Sequence, residues 1–180
     1  MDTLLRLLKV LWLHMITITT AWLPDYTFVL QLRGFLARPC FKKCGRNLQI
    51  ASRVYIGFPN RLELGRDVFM ACGTWIQATG GISIEDEVLL GPYSVLVAGD
   101  HTELDGSYRF GVASRGPIRL GKGSWIGAHA TVTHSVQIGA GVLVAANAVV
   151  TNSLPAHCIA GGIPAKVIRN KREEPLAETK

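Results

Sequence analysis

Apolar and polar positions alternate along this chain on a period of six. Starting at Leu120, every sixth residue is aliphatic: Leu120, Ile126, Val132, Ile138, Val144 and Val150. Two places before each stands a small or aliphatic residue: Ile118, Ser124, Ala130, Val136, Val142 and Ala148. The place after tends to be small, as at Gly121, Gly127, Thr133, Gly139, Ala145 and Thr151. An amphipathic helix repeats near 3.6 residues and a half-buried strand near 2, so neither produces this spacing. A short strand, a tight turn and another short strand do, if the aliphatic fills the inside of a coil. On this reading the small neighbour lets the backbone turn beside it. The pattern predicts an all-β solenoid.

The rhythm starts earlier, at Ile50 and Ile56, and takes two longer steps through FPNR and ATGG. These carry it to Leu64, Met70 and Ile76, then to Ile84, Leu90 and Leu96. The repeats span about 47–154, inside a domain of 47–170, and break once, at 98–117 (AGDHTELDGSYRFGVASRGP). That stretch is polar, glycine-rich and without period, so it is expected to leave the coil as a loop. Long loops on rigid scaffolds carry function.

Ahead of the repeats, residues 1–46 predict a helical appendage, with Leu4, Leu5, Leu8, Leu11, Trp12, Met15 and Ile16 at helical spacing. The run free of Lys, Arg, Asp and Glu reaches only from Val10 to Pro24. That is shorter than the roughly 20 apolar residues of a membrane span. No A-x-A-like site follows it, which speaks against a cleaved signal peptide. Two readings stay open. The helix lies on a membrane surface with Trp12 and Trp22 at headgroup level, or it covers an open end of the solenoid or a neighbouring subunit. The polar tail, 171–180, is expected to fray.

Composition narrows the picture. With 180 residues, 48% hydrophobic and 18% charged, the chain can form one domain with a sizeable core. Its four cysteines lack C-x-x-C spacing and read as free thiols of a reducing compartment. Cys40 and Cys44 are either half a metal site on one helix face or two buried thiols. The net charge of +6 sits entirely in residues 1–53, and the remainder is neutral. This excludes a nucleic-acid surface spread over the fold. It points to an anionic contact at one end, a phospholipid surface or a phosphorylated carrier.

The repeats, GDH in the interrupting segment (99–101), GSWIGAHATV (123–132) and GGIPAKVIR (161–169) together resemble the hexapeptide-repeat acyltransferases. These are left-handed parallel β-helix proteins, and the likeness is to the sugar O-acetyltransferase branch with the galactoside and maltose enzymes. The left hand comes from the resemblance alone, since parallel crossovers are ordinarily right-handed. The resemblance implies acetyl-CoA as co-substrate, a cytoplasmic homotrimer with active sites between neighbouring solenoids, and no metal. It also implies a saccharide acceptor, nucleotide- or lipid-linked, in surface polysaccharide or lipopolysaccharide synthesis. His101 matches the catalytic histidine; imidazole titrates near neutrality and suits a general base for a sugar hydroxyl. The Ala128 amide matches the donor to the thioester oxygen. Trp125, Ala146 and Thr151 match contacts along the CoA arm, and Lys166 and Arg169 the cations that meet its phosphates. Asp100, Tyr108 and Arg109 are candidate acceptor contacts.

The chain departs from the family at Asn152, where many members carry Lys, and at Ala71 and Thr79, where sugar acetyltransferases often carry Asn and Asp. The segment TELDGSYRF also resembles the antibiotic (xenobiotic) acetyltransferases, so a xenobiotic or sugar N-acetyltransferase is an alternative. A rival from another class rests on His129 and His134, spaced H-x4-H as in the γ-class carbonic anhydrases. With His101 they would offer three imidazoles to zinc. A scaffold without activity is a third reading, against which stand His101 and Trp125.

Overall fold

The computed structural model describes residues 2–171. Two helices, α1 (Asp2–Thr20) and α2 (Thr27–Ala37), and a 3-10 turn (Arg38–Cys40) precede a parallel β-solenoid of about six turns. Three repeats make one turn, so each turn adds one strand to each of three sheets. The first sheet runs from Lys43–Cys44 through Leu62–Leu64, Ile82–Ile84 and Ile118–Leu120 to Gln137–Ile138. The second runs from Gln49–Ile50 through Phe69–Met70, Leu89–Leu90, Trp125–Ile126 and Leu143–Val144 to Cys158–Gly162, and closes on the antiparallel strand Ala165–Asn170. The third stacks Tyr55–Gly57, Trp75–Gln77, Val95–Val97, Thr131–Val132 and Val149–Val150. The six periodic aliphatics from Leu120 to Val150 are at most 1% exposed, and their partners two places earlier at most 2%. The core is therefore the axis of the coil, as the period requires.

The small residue after each aliphatic has a different cause from the one expected. The left-handed torsion that turns the chain falls two places further on, at Tyr93 (φ 55°), His129 (φ 57°) and Asn147 (φ 60°) along one corner. The position next to the aliphatic is small because the adjacent coil crowds it. A Cβ on Gly127 would lie 2.6 Å from both the amide nitrogen of Ala146 and the carbonyl oxygen of Val144. The Val144 carbonyl accepts from the Gly127 amide at 2.8 Å in the inter-coil ladder and cannot move aside without breaking it. Gly127→Ala is expected to cost about 1–3 kcal/mol, read as a lowered denaturation midpoint; an unchanged midpoint would show that the coils can part there.

All three irregularities in the rhythm fall on one edge, between the third and first sheets. The FPNR step forms a 3-10 turn (Pro59–Arg61), ATGG widens the next coil, and the 98–117 loop leaves from the coil after that. The loop rests on the ATGG corner: a Cβ on Gly80 would lie 2.4 Å from the carbonyls of both Ala98 and Gly116.

At the other end, α2 lies over the first coil so closely that a Cβ on Gly34 would fall 1.8 Å from the Leu48 carbonyl oxygen. Leu13 and Ile16 of α1 join the same core, and the Trp12 indole donates to the Leu36 carbonyl at 2.9 Å. The helical layer is thus docked on the solenoid. Among the described residues no helix is long and apolar enough to cross a membrane. Cys40 and Cys44 do not share a helix face, because Cys40 ends the 3-10 turn and Cys44 lies on the first strand. Proline at 39 and the immediate start of the sheet leave no room for a helical turn joining them. Their thiols bond the carbonyls of Lys9 and Gly45 respectively, and burial pushes both thiol pKa values up. The expected fraying of 171–180 falls, Lys171 apart, outside the described residues.

Candidate active site

The loop that breaks the repeats is ordered by its own hydrogen bonds. Gly99–His101 pairs antiparallel with Ala113–Arg115, placing His101 opposite Ala113. Beyond it, Leu104 and Ser107 exchange two 2.9 Å backbone bonds around Asp105 (φ 49°) and Gly106 (φ 79°). Two left-handed central residues are the signature of a type I′ hairpin, for which Asp-Gly is favoured. This Asp-Gly signal was present in the sequence and predicts the hairpin. The fold therefore presents His101 on a strand raised from the corner, exposed, with its amide donating to Asp100 Oδ1 at 2.8 Å. Asp100 is thereby partly committed to local geometry. Tyr108 and Arg109 follow the hairpin tip and are exposed, Tyr108 at 63%.

At the foot of the raised strand a groove of about 500 Å³ runs along the first sheet. Lys42, Asn60, Arg61, Glu63, Thr79 and Arg119 line it. Arg61 donates to the Thr79 carbonyl, and Lys42 pairs with Glu63 at 2.7 Å. The hydrogen bond and charge of Lys42 hold the Glu63 carboxyl below its usual range. Arg61 and Arg119 went unmarked in the sequence reading. Arg61 lies inside one of the two long steps, and that displacement from the rhythm was the available signal. Thr79 is at this foot, whereas Ala71 is buried at a different corner.

The residues matched to the CoA arm collect elsewhere. Trp125, 48% exposed, projects from the second sheet between Leu89 and Leu143. Ala128 and Ala146 sit one above the other at the corner between the second and third sheets, where the Asn147 amide donates to the Ala128 carbonyl at 2.9 Å. Ala146 is exposed there and Ala128 half-buried, beside the larger side chains of His129 and Asn147. Lys166 and Arg169 are exposed on the closing strand Ala165–Asn170 beside the second sheet. Thr151 instead follows the third sheet, on the loop's side of it, and accepts from the Asn152 amide at 3.2 Å. Within one chain, then, His101 and the Trp125–Ala128–Ala146 row occupy different edges of the triangular coil.

Of the three histidines of the zinc reading, His129 stands on a different edge of the coil from His101 and His134. His129 stacks on Tyr93 with ring centroids 5.2 Å apart, and His134 contacts Ser135 Oγ at 3.1 Å near the opposite side of the third sheet. Among the described residues no group of three His, Cys, Asp or Glu side chains is arranged to hold a metal ion within the chain.

Comparison with known proteins places this geometry. The bacterial transferase hexapeptide family (six repeats) matches residues 117–152. The putative colanic acid biosynthesis acetyltransferase WcaF of Escherichia coli (strain K12) is 30% identical over 153 residues, covering 85% of this chain and 81% of WcaF. This chain belongs to the hexapeptide-repeat acetyltransferases. A second member of the family, the galactoside O-acetyltransferase of Escherichia coli (strain K12), is 27% identical over 137 residues, 76% of this chain and 68% of that one. The solved structure of a galactoside acetyltransferase in complex with coenzyme A superposes with a TM-score of 0.80 at 24% identity, covering 92% of this chain and 82% of that one. The fold is accordingly the family's left-handed parallel β-helix with a helical appendage and one raised loop.

Proposed function

We propose that this hexapeptide-repeat acetyltransferase moves the acetyl group of acetyl-CoA to a hydroxyl of a saccharide, by direct transfer in a ternary complex. The observation that carries the reading is the raised strand: the fold lifts His101 out of the coil beside a polar groove. His101 takes the proton of the attacking hydroxyl as the new C–O bond forms and the thioester C–S bond breaks. The departing thiolate then accepts a proton, for which protonated His101 is the donor. The Ala128 amide, at the half-buried corner between the second and third sheets, donates to the oxygen that becomes negative in the tetrahedral state. Trp125 borders the cofactor arm, with Ala146 along it, and Lys166 and Arg169 meet its phosphates, while Thr151, on the loop's edge, touches the arm held by a neighbouring subunit. A galactoside acetyltransferase of the same fold has been solved in complex with coenzyme A, which supports coenzyme A as the carrier of the acetyl group.

His101 and the Trp125–Ala128–Ala146 row stand on different edges, so one chain does not close a site over both. A homotrimer in which the raised strand of one subunit reaches the row of the next would bring them together. Asp100, Tyr108 and Arg109 lie on the acceptor side, with Arg61, Thr79 and Arg119 in the groove below. The cationic groove suits an acceptor carrying a phosphate, as nucleotide- and lipid-linked sugars do, and surface polysaccharide synthesis uses such acceptors. The chain works where acetyl-CoA is available, in the cytoplasm.

The test is mass spectrometry of products formed from acetyl-CoA with a panel of sugars, nucleotide sugars, amino sugars and antibiotics. The expected product is an O-acetylated saccharide, formed faster on a phosphorylated acceptor than on the matching free sugar. Acetylation confined to amines, or to antibiotics, would overturn it.

A further inference from the structure

The helical layer carries an apolar surface that none of the described residues covers. On α1 the buried residues Leu13, Ile16 and Thr20 mark the face docked on the rest of the molecule. The opposite face holds Leu4, Leu7, Leu8, Leu11, Met15 and Ile18, each between 50% and 64% exposed. At 100° per residue these six fall within one stripe. A surface helix ordinarily shows polar side chains there. Next to it, α2 exposes Phe28, Leu32 and Phe35, again one stripe, while Val29, Leu30 and Arg33 turn inward. Contiguous exposed apolar surface of this extent marks an interaction site.

Two further features say what covers it. Four polar side chains of the layer are already satisfied internally: the Trp12 indole donates to Leu36, the Trp22 indole to Thr19, and the hydroxyls of Thr17 and Thr19 to His14 and Met15 carbonyls. Burying the layer in a medium without hydrogen bonds therefore strands none of these groups. The second feature is charge. Residues 3–62 contain one acid, Asp25, which is engaged by Arg33 and Ser52. On this end of the chain, Lys42 in its pair with Glu63 apart, the exposed ionic groups are cations: Arg38, Lys43, Arg46 and Arg53. A second copy meeting this surface face to face would set cation against cation. A bilayer with acidic headgroups offers an apolar interior and negative charge at once.

We infer that the α1–α2 layer is a membrane-docking surface, lying in the interface of an anionic phospholipid bilayer without crossing it. The inference is independent of the acetyl transfer, because none of the residues of the two apolar stripes belongs to the proposed active site.

The test is flotation of the full-length protein with vesicles of phosphatidylcholine, with and without phosphatidylglycerol. A Leu8→Ser/Leu11→Ser/Met15→Ser variant is run in parallel. The wild type is expected to float with the phosphatidylglycerol vesicles, binding them more than about tenfold better than phosphatidylcholine alone, since each engaged cation contributes several-fold. The variant should stay in the soluble fraction with an unchanged melting transition and oligomeric state. Wild type that stays soluble with both vesicles, or binds both equally, overturns the inference. So does a variant that changes the number of subunits, which would make the stripe a contact between copies.

Discussion

Replacing His101 with alanine should lower turnover by about 10²–10⁴ while leaving the fold and acetyl-CoA binding intact. The size follows from the chemistry. A sugar hydroxyl is too weak an acid to ionise near neutrality, so without a base the proton must leave for water as the bond forms. The selectivity follows from the structure. His101 is exposed on the raised strand and its pairing is held by backbone bonds opposite Ala113, which an alanine preserves. No core contact is lost, so the melting transition should not move. The measurement is steady-state kinetics on the best acceptor of the product panel, with acetyl-CoA affinity determined separately by calorimetry. Turnover within a few-fold of wild type would remove His101 from the mechanism. A loss of acetyl-CoA binding equal to the loss of rate would make it a binding residue instead. If neighbouring subunits complete each site, mixing His101→Ala with Ala128→Pro, which abolishes the amide donor, should restore part of the activity. Subunit exchange then gives some sites an intact half from each chain.

The solenoid was legible because one physical rule is repeated in every coil. An inward side chain must be apolar every six residues, and a single violation would be conspicuous. The same regularity explains what was not legible. A period of six says which residues point inward, yet the three edges of the coil are equivalent to it. That FPNR, ATGG and the 98–117 loop share one edge emerges only when positions are compared one full turn apart. This fixed the distance between His101 and the Trp125–Ala128–Ala146 row. The small residues beside the aliphatics were seen, but their cause was assigned to turning. The turn torsions belong to residues such as His129 and Asn147, whose side chains are not small. His129 illustrates the cost of reading spacing without edges. Paired with His134 it resembles metal-ligand spacing, but the third sheet separates them and His129 stacks on Tyr93. In the helices the periodicity of α1 was visible, while its direction was not. An apolar stripe reads identically whether it faces the core or solvent, and here much of it faces outward.

Arg33→Ala should destabilise the docking of the helical layer by about 2–4 kcal/mol. The guanidinium bonds Asp25 at 2.5 Å, the Thr20 hydroxyl at 3.0 Å, and the carbonyls of Thr20 at 2.9 Å, Leu23 at 3.0 Å and Ile50 at 3.4 Å. It ties the end of α1, the connection after it and the first coil to α2. Breaking a fully buried pair costs about 3–5 kcal/mol. The Arg33 side chain is 3% exposed but that of Asp25 is 32% exposed, so water recovers part of the loss and the lower range applies. The pair also sets an acid limit. Burial pushes the Asp25 carboxyl up, but hydrogen bonds from Arg33 and Ser52 outweigh it and hold the pKa below the usual carboxylate range. A depressed folded-state pKa means the contribution is complete above the unfolded value, about 3.9. It is lost as pH falls through the folded value beneath it. Helical circular dichroism followed in denaturant should therefore show the layer loosening in acid below about pH 4, ahead of the solenoid. Asp25→Asn should remove that part of the pH dependence, and Arg33→Lys should recover little, because a single ammonium cannot replace the planar fork at five acceptors. A denaturation midpoint for Arg33→Ala equal to wild type would mean that apolar contacts at Leu13 and Ile16 hold the layer alone.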